Sequence, residues 1–264
     1  MPEGDTVWLT AQLQNDALAG QVLTGCDLRV PRFATVDLTG ETVHEVVARG
    51  KHLLHRIGAF TVHTHLKMEG AWRVFAADAH GGHSPWRKPA YTARAVLTTA
   101  PAQAVGFDLG MLDVVATTDE DSVVGHLGPD LLGPDWDASA AVQRLGSDPD
   151  VPVFAAVLDQ RNLAGLGNVY ANELCYLRGL LPTRAMGAVA DVPALVALAH
   201  RVIHANKGRW TRSTTGDLRP GLRTWVYGRT GERCRRCGTR LEGGALSRVE
   251  GQERVVTWCP RCQT

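Results

Sequence analysis

CRRCGTRLEGGALSRVEGQERVVTWCPRC, residues 234–262, decides how the chain ends. Cys234-Arg235-Arg236-Cys237 and Cys259-Pro260-Arg261-Cys262 are two knuckles 21 residues apart, the spacing of a four-cysteine zinc ribbon. Four thiolates about 2.3 Å from one Zn²⁺ would pin a hairpin with too little apolar material to fold alone. Disulfides or a redox pair fit less well, because the compartment reads as reducing and two spaced pairs are not a single thioredoxin motif. Cys26 and Cys175 stand apart and read as buried, inert thiols. The ribbon is structural, so its use lies in what it presents. Arg254 sits between the knuckles, with Arg233, Arg235, Arg236, Arg240, Arg248 and Arg261 around them, a density that suits phosphate contacts.

The ribbon lies in the basic part of the chain. Residues 1–150 hold 11 Lys and Arg against 19 Asp and Glu, a net −8, whereas residues 151–264 hold 17 against 8, a net +9. A nucleic-acid partner and plain solubility both explain such a half-chain. Composition excludes disorder, collagen and coiled coil: 264 residues, 44% hydrophobic and 21% charged, with 28 glycines and 13 prolines spread along the chain. No run approaches the roughly 18 apolar residues of a membrane span. Glu3, Asp5 and Asp16 stand where a signal peptide would be basic and then apolar, so a cytoplasmic protein with no membrane partner is expected.

Upstream, residues 5–18 read as a helix capped by Asp5 or Thr6, with Leu9, Leu13 and Ala17 at a spacing of four and Gly20 as the stop. From about 21 to 117 the pattern changes to short alternating Val, Leu and Thr runs, among them TVHTHL, AWRVF, TARAVLTT and DVVAT. Such runs predict an antiparallel sandwich or barrel. Residues 78–90 read as a loop. SDPDVP at 147–152 coincides with the charge reversal and reads as a domain boundary. Helical character returns at 152–160, 168–178 and 191–206, and 208–221 is a polar, basic loop.

Four further constellations carry chemistry. Met1-Pro2-Glu3-Gly4 permits removal of the initiator methionine, which would leave Pro2 with a free secondary amine beside a carboxylate. An α-amino group titrates near 7.7 to 8.0, against about 10.4 for lysine, so a useful fraction is nucleophilic near neutral pH. Attack on a sugar C1′ would give a cationic iminium that acidifies C2′ and promotes loss of the 3′ phosphate, with Glu3 as proton donor. Ala164-Gly165-Leu166-Gly167-Asn168 is either a phosphate clamp at a helix N-terminus or a helix–turn–helix corner. Arg49-Gly50-Lys51-His52 puts one of only four lysines on a hairpin, aimed into a cleft or merely exposed. His63 with His65, and His52 with His55, read either as metal ligands or, lacking carboxylates at ligand spacing, as sheet-face histidines.

Taken in order, MPEG, RGKHLL at 49–54, HLKMEGAW at 65–72, HLGPDLL at 126–132, LDQRNLAGLGNVYANELCYLRG at 158–179 and the ribbon ending in Gln263 resemble the formamidopyrimidine-DNA glycosylase and endonuclease VIII family of base-excision repair enzymes. The resemblance implies an α+β protein in three parts: a helix plus antiparallel β-sandwich over residues 1–125, a helical helix–two-turn–helix domain over 126–224, and a zinc-ribbon hairpin over 225–264. It implies one structural Zn²⁺ on Cys234, Cys237, Cys259 and Cys262, no redox or nucleotide cofactor, and a monomer acting on damaged double-stranded DNA.

By the same resemblance Pro2 is the Schiff-base nucleophile, Glu3 the acid that opens the sugar, Lys51 the proton donor for β-elimination, and Arg254 the finger arginine of δ-elimination and phosphate binding. Asn168, Lys67 and His126 fall at DNA-contacting positions, and Met68 looks like the wedge that fills the gap left by an extruded base. Two departures bear on substrate. Thr6 stands where many relatives have glutamate, and FDLGMLDVV at 107–115 lacks the paired arginines with which the purine branch reads cytosine opposite the lesion. The endonuclease VIII branch, acting on oxidised pyrimidines such as thymine glycol and 5-hydroxycytosine and on abasic sites, is therefore expected, although Met68 in HLKMEG is closer to the purine branch. The alternatives are a zinc-ribbon DNA-binding protein with a decayed active site, against which Pro2, Glu3, Lys51 and Arg254 together argue, and an N-terminal proline tautomerase, which needs neither ribbon nor basic half.

Overall fold

A computed structural model of the chain describes residues 2–78, 82–246 and 253–264; Met1 and Arg248 lie outside the described residues. It divides into two compact units, Met1–His126 and Leu127–Thr264. The division precedes the charge reversal at 147–152, which therefore marks no boundary. Pro152 pairs with Ala185 inside the second unit, so SDPDVP is a turn ahead of a helix.

The first unit opens with α1 (Gly4–Leu18). Its N-cap is Glu3 rather than Asp5 or Thr6, and the Asp5 carboxylate instead accepts from Thr6 N at 2.7 Å inside the first turn. The buried stripe is Val7, Ala11, Gln14 and Leu18, while Leu13 is exposed and Leu9 and Ala17 are half-buried. Two stripes of helical period run along this helix, and the polar one is buried because Gln14 finds partners inside. Its Oε1 lies 2.9 Å from His55 Nε2, and its Nε2 donates to Thr10 O.

Eight strands follow: β1 (Leu23–Leu28), β2 (Val43–Arg49), β3 (His52–Ile57), β4 (Phe60–His65), β5 (Ala71–Ala76), β6 (Ala93–Thr99), β7 (Ala102–Phe107) and β8 (Met111–Ala116), then the short α2 (Asp121–Val124). They form two antiparallel sheets of order β1-β6-β7-β5 and β2-β3-β4-β8, as the alternation predicts. One core takes residues from both sheets and from α1, among them Leu18, Leu28, Val46, Leu53, Ile57, Val62, Trp72, Leu97 and Leu112. This is the sandwich. Trp72 is 3% exposed and satisfies its indole N–H on Thr64 Oγ1 at 3.1 Å, so the ring fills the core without stranding a donor.

The second unit contains α3 (Ala138–Gly146), α4 (Val153–Leu158), α5 (Asn168–Arg178), α6 (Val192–Asn206) and the hairpin β9 (Glu242–Leu246) with β10 (Arg254–Trp258). The turns of 159–167 join α4 to α5. Asp137 caps α3 by accepting from Ser139 N and Ala140 N, and Asp191 caps α6 by accepting from Ala194 N. Gly179, at φ 70°, ends α5 in the left-handed conformation that releases the chain. No helix among the described residues is long and apolar enough to cross a membrane.

Candidate nucleic-acid and catalytic site

The register of β2-β3-β4-β8 brings separate motifs to one end of one sheet. Arg49 faces His52 across the β2–β3 turn, His52 faces His65, and His65 faces Met111. The turns at 50–51, 66–70 and 108–110 are therefore neighbours, and with them Lys51, Lys67 and Met68. Gly50 takes φ 58°, the conformation that lets a tight hairpin carry Lys51. Pro2 is half-buried and Glu3 fully buried at the start of α1, where the helix dipole favours a carboxylate.

Behind these turns lies a histidine cluster that sequence reasoning missed as a group. His52 and His63 are diagonal neighbours on one face, with Nδ1 of His52 2.7 Å from Nε2 of His63. His65 and His126 bring their rings edge-on to His52, at centroid distances of 5.0 and 6.2 Å. His55 points to the opposite face, as a residue three along a strand must, so no His52–His55 pair exists. Cross-strand register and the arrival of His126 from beyond α2 create the cluster, and neither is encoded in local spacing. Burial, reinforced by neighbouring imidazoles and Lys67, holds His52 neutral, with its pKa pushed down to about 3. Burial, then Lys67, Lys51 and His63, push His65 down to about 4. Burial likewise lowers His63, whose Nδ1 has no hydrogen-bond partner among the described residues.

On the core side, burial pushes His55 down to about 4. An imidazole with a native pKa below its unfolded value of about 6.5 binds fewer protons when folded, so its contribution is complete above pH 6.5 and is lost as pH falls toward 4. For fully buried His55 alone the loss at pH 5 is about 2 kcal/mol, and His52 and His65 act in the same direction. The urea midpoint, followed by tryptophan fluorescence, is therefore expected to drop markedly between pH 7 and pH 5; equal midpoints would contradict the neutral assignment.

In the second unit Asn168 is the first residue of α5, behind Gly165 at φ 106° and an extended Gly167. Gln160 sets this turn, accepting from Gly165 N at 3.0 Å and donating to Leu166 O at 2.8 Å. The corner and a helix N-terminus thus coincide. One turn further on, Asn172 accepts from Thr257 N at 2.7 Å and donates to Val255 O, tying β10 and its exposed Arg254 to the helix that begins with Asn168. Glu173 is fully buried, and its carboxylate accepts from the backbone N–H groups of Trp225, Val226 and Tyr227 at 2.8, 2.9 and 2.8 Å, and from Thr214 Oγ1. The carboxylate anchors the segment that leads into the cysteine knuckles. Sequence reasoning passed over Glu173; its only signal was an acidic residue inside an otherwise apolar helix face.

Cys234, Cys237, Cys259 and Cys262 place their Sγ atoms within 4.8 Å of one another, the one metal-ligating group among the described residues. Cys234 Sγ is 4.0 Å from Cys262 Sγ, and Cys237 Sγ is 3.5 Å from Cys259 Sγ. A tetrahedron of thiolates at the Zn–S bond length has edges of about 3.8 Å, so the donor set fits that ion. Arg236 N donates to Cys234 Sγ, and buried Gln263 closes the second knuckle by accepting from Cys259 N while donating to Leu180 O. Two of the ribbon arginines serve the fold rather than a ligand. Arg235 donates to the carbonyls of Gly221 and Thr224, and Arg236 stacks over Tyr176 at 4.8 Å. Arg233, Arg240, Arg254 and Arg261 are exposed. Burial pushes the Cys175 thiol up to about 12 and raises Cys26, in keeping with inert thiols.

Comparison with known proteins assigns the architecture. Residues 1–109 match the formamidopyrimidine-DNA glycosylase N-terminal domain. The whole chain is 50% identical over 264 residues to the DNA-(apurinic or apyrimidinic site) lyase Nei2 of Mycolicibacterium smegmatis, covering 100% of this chain and 99% of that one. It is 51% identical over 267 residues to endonuclease 8 2 of Mycobacterium tuberculosis, with full coverage of both. The fold matches that of Lactococcus lactis Fpg in complex with DNA containing N7-benzyl-Fapy-dG, at a TM-score of 0.78, 24% identity and full coverage of both chains. The chain belongs to the formamidopyrimidine-DNA glycosylase and endonuclease VIII family, on its endonuclease VIII side.

Proposed function

We propose that this protein is a bifunctional DNA glycosylase and abasic-site lyase that removes oxidised bases, pyrimidines first, and then cleaves the strand. The observation that carries the reading is the convergence of Lys51, Lys67 and exposed Met68 at one sheet end, in the unit whose first helix, Gly4–Leu18, follows directly on Pro2 and buried Glu3. The names of the full-length relatives agree with it.

In this reading the Pro2 amine attacks C1′ of an extruded nucleotide while Glu3 gives a proton to the ring oxygen. The C1′–O4′ bond breaks with its electron pair and the Glu3 proton on the O4′ hydroxyl. The N-glycosidic bond breaks as the base leaves with its electron pair and takes up the proton the amine loses, and a cationic iminium remains at C1′. Loss of the C2′ proton then expels the 3′ phosphate, with Lys51 serving the proton transfers. Arg254 binds phosphate and serves the second elimination. Met68 fills the gap in the stack, and Lys67, His126 and Asn168 contact the DNA. FDLGMLDVV supports the pyrimidine preference, since it offers no arginine pair to read a cytosine opposite an oxidised purine.

One Zn²⁺ on Cys234, Cys237, Cys259 and Cys262 would hold the hairpin that carries Arg254; bound there it supplies folding energy and no chemistry to the reaction. Borohydride trapping on duplexes bearing an abasic site, thymine glycol or 8-oxoguanine, with mass spectrometry of the linked peptide, tests the proposal. The expected adduct is at Pro2, with thymine glycol trapped faster than 8-oxoguanine. Absence of adduct on every duplex, despite tight binding, favours the non-catalytic DNA-binding alternative. Because phosphate contacts release counterions, log affinity is expected to fall with log salt at a slope near −0.9 for each phosphate engaged, and a flat dependence would contradict the basic-patch assignment.

A further inference from the structure

Five residues, Leu66–Gly70, connect β4 to β5, and their shape is unusual. Leu66 is 2% exposed and Gly70 is buried, with Lys67, Met68 and Glu69 exposed between them. Gly70 N donates to Leu66 O at 2.9 Å, and a Cβ on Gly70 would stand 2.4 Å from that oxygen. Lys67 has φ 54°, one of two described non-glycine residues in the left-handed region. That conformation costs an L-residue about 1–2 kcal/mol, so the turn persists only where other contacts specify it.

Two such contacts are present. Lys67 N donates to His65 Nδ1 at 2.9 Å, a side-chain acceptor two residues back that does what an Asx turn does. On the other side the Lys67 stem lies on the bare backbone of Gly110 in the β7–β8 turn, where a Cβ would come within 2.3 Å of Lys67 Cγ. The first contact needs an unprotonated Nδ1. The groups facing His65 favour that state: His52 opposite it on β3, His63 on its own strand, Lys51 on the β2–β3 turn and Lys67 itself are all potential cations, with His126 behind His52. Of the carboxylates on the adjoining strands and turns, Asp113 and Glu120 act on His63, Asp108 pairs with Lys88 Nζ at 2.6 Å, and Glu69 is exposed on the turn itself.

We propose that His65 is a positioning residue for base extrusion: its neutral Nδ1 and the bare backbone of Gly110 clamp Lys67 from two sides and so preform the turn that holds Met68 out as a wedge. The inference rests on the wedge reading of Met68 and adds to it a rigid support. A preformed wedge spares the ordering of the turn at the moment of insertion, so its loss falls on the insertion step rather than on phosphate binding.

The test uses the full-length protein and an uncleavable duplex with a tetrahydrofuran abasic analogue facing 2-aminopurine, whose fluorescence rises when a wedge disturbs its stacking. H65F, which keeps a ring and has no acceptor, and H65Q, whose oxygen falls near the place of Nε2, are expected to slow insertion tenfold or more. H65N, whose Oδ1 stands in for Nδ1, is expected to restore the rate to within about twofold, as Asn makes the same i to i+2 turn. Affinity by anisotropy is expected to change less than threefold in all of them. G110A, which leaves His65 intact and displaces the Lys67 stem, is expected to slow insertion as H65F does and keeps the test open should H65F fold poorly. H65F and G110A at the wild-type rate, or H65Q rescuing as well as H65N, would overturn the positioning role. M68A separates the two levels: an undiminished signal in M68A removes the wedge reading itself, whereas loss in M68A with none in H65F or G110A removes only the support.

Discussion

Protein that retains Met1, or carries one extra residue before Pro2, is expected to form no borohydride adduct and to lose about a thousandfold or more of its strand-cleaving activity, with affinity for abasic DNA within threefold of the processed form. Acylation of the Pro2 nitrogen delocalises its lone pair into an amide and would remove the proposed nucleophile outright, while the phosphate contacts proposed for the second unit would remain. Only the secondary amine gives an iminium that stays cationic without a proton, so P2G, with a primary amine, is expected to fall between the two. The Glu3 side of the same prediction separates the two chemical steps. E3Q is expected to lose base removal from intact lesions but to cleave preformed abasic sites, because an abasic sugar already samples its open aldehyde and needs no acid to open the ring. Glu3 is fully buried, and glutamine is isosteric, so α1 is expected to keep its cap position and the variant its fold. An extended protein that still nicks abasic DNA would remove Pro2 from the mechanism; an E3Q protein equally impaired on both substrates would make Glu3 a structural residue.

What the sequence disclosed follows from where its information is local. The helix Asn168–Arg178 is legible to the residue, because Gly167 and Gly179 punctuate both ends and the second must be left-handed. The cysteine knuckles are legible for the same reason: a spacing of three within each pair has few structural meanings. Periodicity was ambiguous in α1, where an apolar stripe through Leu9 and Leu13 competed with one through Val7, Ala11, Gln14 and Leu18. The second is buried because His55, 41 residues away, supplies the partner that Gln14 needs. Charge misplaced the boundary, since a change in surface composition need not coincide with a change of core. The histidine cluster and the contact of Gly110 with Lys67 depend on strand register and on turns that meet only after two sheets have formed. Long-range pairing of this kind has no local signature.

Removal of zinc by a chelator, or C237A, is expected to release one metal ion per chain and to weaken DNA binding by thirtyfold or more, read by anisotropy at fixed salt. Hairpin β9–β10 has almost no core of its own: β9 is EGGAL with its first four residues exposed, and the apolar cluster around the knuckles depends on Tyr176 from α5 and on Val226, Leu241 and the cysteines. An isolated two-stranded hairpin is marginal in water, whereas four thiolates on Zn²⁺ contribute about 10–16 kcal/mol of binding free energy that is also folding free energy. The loss is expected to be local, and hydrogen exchange shows where it stops. Amides of Cys234–Gly238 and those of β10 bonded to β9 lose protection, because their bonds close around the cysteine knuckles or within the hairpin, whereas Thr257 N, whose acceptor is Asn172 Oδ1 on α5, keeps it. Those of Trp225, Val226 and Tyr227 keep it, because their acceptor is the Glu173 carboxylate on α5, which no metal holds in place. E173Q reverses the pattern: with one acceptor oxygen exchanged for a donor, protection at 225–227 falls while the four cysteines still retain zinc. Protection lost throughout 225–262 in C237A would mean that the ion, and not α5, anchors the segment leading into the knuckles. DNA affinity unchanged without metal would mean that Arg254 and its hairpin take no part in binding.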